Sequence, residues 1–237
     1  MTALDNSASV EGTFVARRNR FAADVLVNGR EAVAHVANSG RMTELLVQGA
    51  PVLLRRAPSG SDRRTAYDLL LIRHVGRWVG LDARMPPRAV VDAWRAGLLP
   101  SFAAYDLVTA EVRYGASRLD LLFEGPPGKL YVEAKSCNLV VDGTALFPDA
   151  PTVRGAKHMA ELASAVREGH RAAAVFVIQR DDALRLMPFA EADPVFADAL
   201  RGAAAAGVEA HAVVCEAGPA GLHPLRTVPV VLEEATV

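Results

Sequence analysis

The chain has 237 residues, of which 51% are hydrophobic and 22% charged, and its formal net charge is −1. This composition is that of a globular protein and excludes a disordered chain, and the length allows one large or two small domains. No apolar run reaches membrane-spanning length and the N-terminus shows no export signal. We therefore expect a cytoplasmic protein with no membrane partner, whose Cys137 and Cys215 are free thiols.

The small net charge conceals an uneven distribution along the chain. Residues 1–100 contain 14 Arg and 9 Asp or Glu, a balance of +5, whereas the remainder holds 12 basic and 18 acidic residues, a balance of −6. A basic first part and an acidic second part suit a module that binds a polyanion joined to one that binds a cation. The alternative is a chance partition in an Arg-rich chain, and both interpretations stay open at this point.

The first third of the chain predicts a small β-barrel. Short strand-like segments alternate with turns, and Asn28 followed by Gly29 gives the clearest hairpin signal. Five or six strands in about 70 residues are typical of an oligonucleotide-binding (OB) barrel. We therefore predict an OB-like domain over residues 1–83, with one short helix over 42–47. The predicted strands are 12–18, 21–27, 32–36, 52–56, 67–73 and 78–81.

Basic side chains in this region lie in predicted turns or at strand ends. In these positions they can follow a phosphate backbone, so we predict that they contact DNA. Solvated turns are the simpler alternative. The predicted contacts are Arg17, Arg18, Arg20, Arg41, Arg63 and Arg64.

From residue 84 onward the pattern changes to alternating strands and helices. Strand, helix, strand, helix, strand indicates an α/β layer with a mixed sheet, in a chain that is α+β overall. We predict this α/β domain over residues 84–237. Its predicted helices are 89–96, 153–168 and 195–206, and its predicted strands include 111–114, 173–178 and 208–215.

The most informative stretch, residues 117–136, reads SRLDLLFEGPPGKLYVEAKS. Two strand-like segments flank a Gly-Pro-Pro-Gly turn, which predicts a β-hairpin in which Glu124 pairs with Lys129. That register puts Asp120 opposite Glu133, and alternation puts Lys135 on the same face. Two facing carboxylates repel each other unless a cation lies between them.

The resulting pattern, Asp-x12-Glu-x-Lys, suits the hydrolysis of phosphodiester bonds. Carboxylates from adjacent strands can hold Mg²⁺, which lowers the pKa of a bound water and neutralises charge developing on phosphorus. A lysine on the same face can donate to that water or to the phosphate. The alternative is an exposed polar hairpin face, and the pattern alone does not decide between them.

The hairpin resembles the core of PD-(D/E)xK nucleases, and nearly the whole chain resembles the sugar fermentation stimulation protein A family. The resemblance implies an OB-like domain followed by a nuclease-like α/β domain. It also implies DNA binding with little sequence selectivity and a bacterial role tied to sugar (maltose) utilisation. The matching stretches are ANSGRM (37–42), YGASRLDLLFEG (114–125), YVEAKS (131–136), DGTALFPDAPTVRGAKHM (142–159), FVIQRDD (176–182) and DPVFADAL (193–200).

By position, the resemblance implies that Asp120, Glu133 and Lys135 are catalytic and that the two acids bind Mg²⁺ or Mn²⁺. Glu111 is a candidate for an additional acid. The same cleft is expected to include three further DNA contacts, namely Arg154, Lys157 and His158. Val153 stands where the family has a Glu.

Three functions stay open from the sequence. The first is a Mg²⁺-dependent nuclease acting on single-stranded or double-stranded DNA. The second is a DNA-binding regulator of sugar-metabolism genes that uses the nuclease fold without catalysis. The third is a sugar-binding or metabolic protein, because OB-like barrels also hold oligosaccharides. A homodimer is left open as well.

Overall fold

The computed structural model describes residues 9–57 and 63–233. Residues 1–8, 58–62 and 234–237, which the domain prediction includes, lie outside that part of the chain. Within the described residues, no helix is long and apolar enough to cross a membrane.

The N-terminal sheet closes into a barrel. Its order is β3-β2-β1-β4-β5-β6, and an additional parallel pairing of β3 with β5 closes the first five strands on themselves. Alternate residues of β2, namely Ala23, Val25 and Val27, are buried in the barrel core. The predicted OB-like barrel is therefore confirmed. Its strands are β1 (Ser9–Asn19), β2 (Ala22–Val27), β3 (Arg30–His35), β4 (Pro51–Arg56), β5 (Tyr67–His74) and β6 (Arg77–Gly80).

The helix predicted over residues 42–47 is wrong. The segment forms a single turn, in which Met42 has a positive φ of 49° and the Leu46 N–H donates to the Met42 carbonyl. Met42 and Leu45 are nevertheless buried in the barrel core. The apolar pattern that suggests a helix therefore comes from two side chains that pack into the barrel core.

The second region is a mixed sheet between helices. The large sheet has the order β15-β14-β12-β9-β8-β7, and β9, β12 and β14 run parallel to one another. The predicted mixed α/β layer is confirmed, and the sequence missed β15 and a small sheet of order β10-β11-β13. The strands are β7 (Leu107–Tyr114), β8 (Ser117–Gly125), β9 (Gly128–Cys137), β10 (Val140–Val141), β11 (Thr144–Phe147), β12 (Arg171–Ile178), β13 (Arg185–Pro188), β14 (Glu209–Gly218) and β15 (Gly221–Val228).

In the described part of the chain, three helices cover the two faces of the large sheet. Helix α1 (Pro86–Arg95) packs on one face, and α2 (Val153–Arg167) and α3 (Pro194–Ala205) pack on the other. Helix α2 begins after Thr152, whose hydroxyl accepts from the Gly155 N–H at 3.1 Å. A short 3₁₀ turn, Pro100–Phe102, follows α1.

The barrel and the mixed sheet touch through closely packed backbone. The Gly80 N–H donates to the Gln179 carbonyl at 2.9 Å, and a Cβ at Gly80 would run into the Gln179 side chain. A larger residue at position 80 would therefore displace this buried side chain. The Asn138 side chain adds a hydrogen bond to the Gly80 carbonyl and accepts one from the Asn38 amide at 3.4 Å. This contact fixes the cleft that lies between the two regions.

Candidate functional site

The hairpin carries the acidic residues in the predicted register. Strands β8 and β9 pair antiparallel with Glu124 opposite Lys129 and Leu121 opposite Val132. Asp120 lies one residue beyond this ladder, and its Oδ2 accepts from the Ala134 N–H at 2.8 Å. The carboxylate of Asp120 thus connects the two strands where the backbone pairing ends.

Strand β8 changes its facing at Asp120. Leu121 packs into the cluster under α1, whereas Leu119 packs into the cluster under α2 and α3. Strict alternation would place both on one face. The β7–β8 ladder skips Asp120 and the opposite residue Glu111, which has a φ of 57°. The positive φ of a non-glycine residue marks this irregularity, which takes Asp120 out of the ladder.

Glu111 itself lies apart from the two other acids. Its side chain is 74% exposed and contacts Arg118 Nη1 at 3.0 Å. It does not line the cleft that contains Asp120 and Glu133. The structure therefore does not bring the candidate additional acid into the site.

Glu133 is the buried centre of the site, with its side chain only 5% exposed. Its Oε1 accepts from Lys135 Nζ at 2.7 Å and from His158 Nδ1, while its buried Oε2 has no hydrogen-bond partner. Burial acts to raise the pKa of Glu133, but the His158 hydrogen bond and the Lys135 charge outweigh it and hold that pKa below its ordinary value. Glu133 is therefore a charged carboxylate with one oxygen left for a ligand.

The pKa of Asp120 is shifted in the opposite direction to that of Glu133. Burial, together with the negative charge of Glu133, raises the pKa of Asp120 to about 6, against the hydrogen bond from Ala134 and the charge of Lys135. The two carboxylates therefore share a site in which a second negative charge is costly. A divalent cation would remove that cost.

The residues present fit such a cation. Asp120 and the partnerless Oε2 of Glu133 are hard oxygen ligands, as Mg²⁺ prefers. Over residues 9–57 and 63–233, no group of three or more His, Cys, Asp or Glu side chains is arranged to hold a metal. Mg²⁺ would therefore take its remaining ligands from water, backbone or a substrate phosphate.

The buried His158 ring is hydrogen-bonded to the Glu133 carboxylate. Its ring is 2% exposed, and its Nε2 accepts from Arg154 Nε at 3.3 Å, which leaves the proton on Nδ1 for donation to Glu133. The prediction of His158 as a DNA contact is therefore wrong, because a ring buried in this way cannot reach a DNA backbone. Its place on α2, one turn after Arg154, turns it towards β9 instead.

The acids and Lys135 line a cleft of about 610 Å³ between the barrel and the α/β region. Lys135 is 11% exposed and lies low in the cleft. Two arginines, Arg20 from the barrel and Arg154 from α2, give the cleft basic walls. Lys157 lies in an adjoining depression on α2, 3.9 Å from Glu161.

The other basic residues of the barrel have varied surroundings. Arg17 donates all five of its N–H groups to backbone carbonyls at 2.6–3.2 Å, so it anchors a loop and has no donor left for DNA, which corrects its prediction as a DNA contact. Arg63 lies 2.5 Å from Asp68, and Arg18 lies 2.5 Å from Asp24. Two further predicted contacts, Arg41 and Arg64, are exposed.

These features define a class of protein, namely an OB barrel joined to a mixed-sheet α/β domain that presents an acid and an acid-x-Lys pair in a cleft. Comparison with known proteins agrees. The family model for the SfsA N-terminal OB domain matches residues 15–81, and the model for the sugar fermentation stimulation protein RE domain matches residues 84–221. The chain belongs to the sugar fermentation stimulation protein family.

Relatives match over most of their length. The sugar fermentation stimulation protein homolog of Moorella thermoacetica is 48% identical over 89% of this chain and 91% of the relative. The homolog of Symbiobacterium thermophilum is 46% identical over 90% of both chains. The solved structure of Pyrococcus furiosus SfsA in complex with Ca²⁺ is 30% identical, covers 98% of this chain and 99% of that one, and has a TM-score of 0.87.

Proposed function

We propose that this protein binds DNA and hydrolyses its phosphodiester bonds with Mg²⁺ or Mn²⁺, in the cytoplasm, where bacterial DNA lies. The observation that carries the proposal is the buried Asp120–Glu133 pair, in which one carboxylate has a raised pKa and the other keeps an oxygen without a partner. The Ca²⁺ held by the Pyrococcus relative and the family's OB domain support a divalent cation and a nucleic-acid ligand.

Each side chain has a role in this proposal. Asp120 and Glu133 would hold the cation, which supplies an activated water and neutralises charge on the phosphate when it is bound. Lys135 would donate to the attacking water or to a phosphate oxygen. Water would attack phosphorus, forming a new P–O bond as the bond to the leaving sugar oxygen breaks. The attacking water would release a proton to solvent, and the leaving sugar oxygen would take one up. Arg20 and Arg154, which line the same cleft, would bind phosphates that flank the bond to be cut.

Metal-dependent cleavage of DNA tests the proposal directly. The wild-type protein should cut in Mg²⁺ or Mn²⁺ and not in EDTA, while Asp120→Asn and Lys135→Ala should each lose at least about a hundredfold in rate. Glu111→Gln is the matched control, because this exposed acid lies outside the cleft and its loss should leave the rate unchanged. Cleavage that persists in the Asp120→Asn, Lys135→Ala double variant would come from a contaminant and would refute the proposal.

A second function, DNA binding without catalysis as a regulator of sugar-metabolism genes, rests on Val153. This residue is 89% exposed at the edge of the cleft, where the family resemblance predicts a Glu. This alternative predicts DNA affinity that falls steeply with salt and no cleavage with any divalent metal. If the Val153→Glu variant cleaves DNA and the wild type does not, the presence of Val153 in place of Glu accounts for the missing cleavage.

A further inference from the structure

A second depression, of about 530 Å³, adjoins the cleft at the beginning of α2. It shares two lining residues with the cleft, Val153 and Arg154. Three cationic side chains line this α2 depression, namely Arg154, Lys157 and Arg118 of β8, and among the described residues that line it none is acidic. A depression of this charge that is continuous with the cleft suits a polyanion that extends out of the cleft.

Two of these cations are exposed and only weakly engaged. Arg118 is 65% exposed and pairs at 3.0 Å with Glu111, which is itself exposed. Lys157 is 53% exposed, and its Nζ lies 3.9 Å from Glu161, beyond hydrogen-bond distance. Pairs of this kind contribute little to stability. Arg118 and Lys157 can therefore exchange these partners for an anion that enters the depression.

Arg154 connects the depression to the acids of the cleft. Its Nε donates to His158 Nε2 at 3.3 Å, and His158 Nδ1 in turn donates to Glu133. The two terminal nitrogens of Arg154 have no hydrogen bond to any residue that the structure describes. Lys157 lies three positions further along α2, which places both side chains on the same side of the helix. A chain of phosphates that begins at Glu133 can therefore continue past Arg154 to Lys157.

We propose that the α2 depression binds the DNA backbone next to the bond that is cut, and that Arg118 is a phosphate contact there. This subsite rests on the proposed nuclease function and extends its substrate beyond the cleft. Arginine binds phosphate oxygens through two parallel N–H groups, and lysine binds them as a point charge. Contacts of this kind go to the backbone alone, so the subsite should act equally on every base sequence.

Protection of lysines from acetylation tests the location directly. The chain contains only three lysines, Lys129, Lys135 and Lys157, so mass spectrometry can follow each one. In Ca²⁺, an oligonucleotide at about ten times its Kd should slow the acetylation of Lys157 by about tenfold. Lys129 is the internal control, because it is exposed at the turn before β9, about 20 Å along that strand from Lys135. Bound DNA that leaves Lys157 unprotected, or protects Lys129 equally, would overturn the subsite.

Inorganic phosphate at the same phosphorus concentration separates a DNA subsite from a site for a free anion. Phosphate alone should leave the acetylation of Lys157 unchanged, because a single ion lacks the neighbouring phosphates that the cleft binds. If phosphate protects Lys157 as well as the oligonucleotide does, the depression binds a free anion and the proposed DNA subsite is refuted.

The salt dependence of binding tests Arg118 and Lys157 as phosphate contacts. In fluorescence anisotropy with a labelled oligonucleotide, Arg118→Ala and Lys157→Ala should each make the slope of log K against log salt concentration shallower, by about 0.7 for a single strand or 0.9 for a duplex. Arg118→Lys keeps the charge and should restore the slope. Arg95→Ala, which removes an exposed arginine from α1 on the other face of the sheet, is the matched control and should leave it unchanged. Equal slopes for the wild type and the Arg118→Ala, Lys157→Ala double variant would contradict the proposed contacts.

The nuclease function and the subsite fail in different ways. If DNA binds and protects Lys157 but is not cut in any metal, the nuclease function fails and the subsite stands. If DNA is cut while Lys157 stays unprotected and the slopes do not change, the nuclease function stands and the subsite is refuted. If no DNA is bound or cut, both are refuted.

Discussion

Replacing Asp120 with Asn should stabilise the metal-free protein at neutral pH, although it removes a residue of the candidate active site. Burial and the charge of Glu133 raise the pKa of Asp120 from 3.8 to about 6. The folded protein therefore holds this proton more tightly than the unfolded chain does. The ionisation of Asp120 therefore lowers the free energy of unfolding as pH rises from about 4 to 6, and the whole of this loss is present above pH 6.

The size of the effect follows from the difference between the two pKa values. At about 1.4 kcal/mol per pKa unit, the charged Asp120 lowers the free energy of unfolding by about 3 kcal/mol at pH 7. Asparagine carries no charge, and its amide oxygen can still accept from the Ala134 N–H. We expect Asp120→Asn to be more stable than the wild type by about 2–3 kcal/mol at pH 7 and nearly equal to it at pH 4.

Urea denaturation in EDTA at the two pH values measures this difference. Saturating Mn²⁺ should narrow or reverse it, because the wild type gains stability by binding the ion and the variant gains less. Asp68→Asn is the control of opposite sign. Burial acts to raise the pKa of Asp68, but hydrogen bonds from Arg63 and Arg55 hold it at about 2, so this change should cost about 1–3 kcal/mol at pH 7. An Asp120→Asn protein no more stable than wild type at pH 7, with Asp68→Asn behaving as stated, would refute the electrostatic reasoning.

Two other substitutions test contacts that hold the site. His158→Ala should weaken Mn²⁺ binding to the DNA-free protein by about 10–100-fold, because Glu133 loses the donor that orients it. His158→Asn keeps a donor near the same place and should recover part of the lost Mn²⁺ affinity. Equal titration curves for the wild type and both variants would contradict the role of His158 in orienting Glu133. Arg17→Ala should lower the free energy of unfolding by about 2–4 kcal/mol through the loss of its five hydrogen bonds. The adjacent Arg18→Ala removes only a surface ion pair and should cost at most about 1 kcal/mol, so similar urea midpoints for the two variants would contradict the anchoring function of Arg17.

The hairpin and the barrel could be predicted from sequence because their signals are local. The Gly-Pro-Pro-Gly turn fixes the register of β8 and β9, and the pairing of Glu124 with Lys129 is confirmed. Short alternating segments separated by turns likewise define the barrel strands. In both cases neighbouring residues decide the structure, so a pattern along the chain is sufficient.

The supporting contacts could not be predicted because they join distant residues. Arg17 lies in a basic cluster that looks like a DNA-binding turn, and only the folded loop of residues 38–41 shows that its donors are all engaged. His158 looks like an exposed neighbour of Arg154, and only the packing of α2 on β9 brings its ring to Glu133. The change of facing at Asp120 depends on the backbone of Glu111, which the residue type does not reveal.

The predicted domain boundary near residue 83 separates two sequence patterns, but the two regions share one hydrophobic core. Leu53, Leu70 and Leu71 of the barrel strands belong to the same buried cluster as Val90 of α1 and Val132 of β9. The barrel also supplies one wall of the cleft, through Arg20 and residues 38–40. Since the core and the cleft both cross the division, removing the barrel would expose apolar surface and open the site together. The barrel is therefore a structural part of the candidate active site, in addition to any role in gripping DNA.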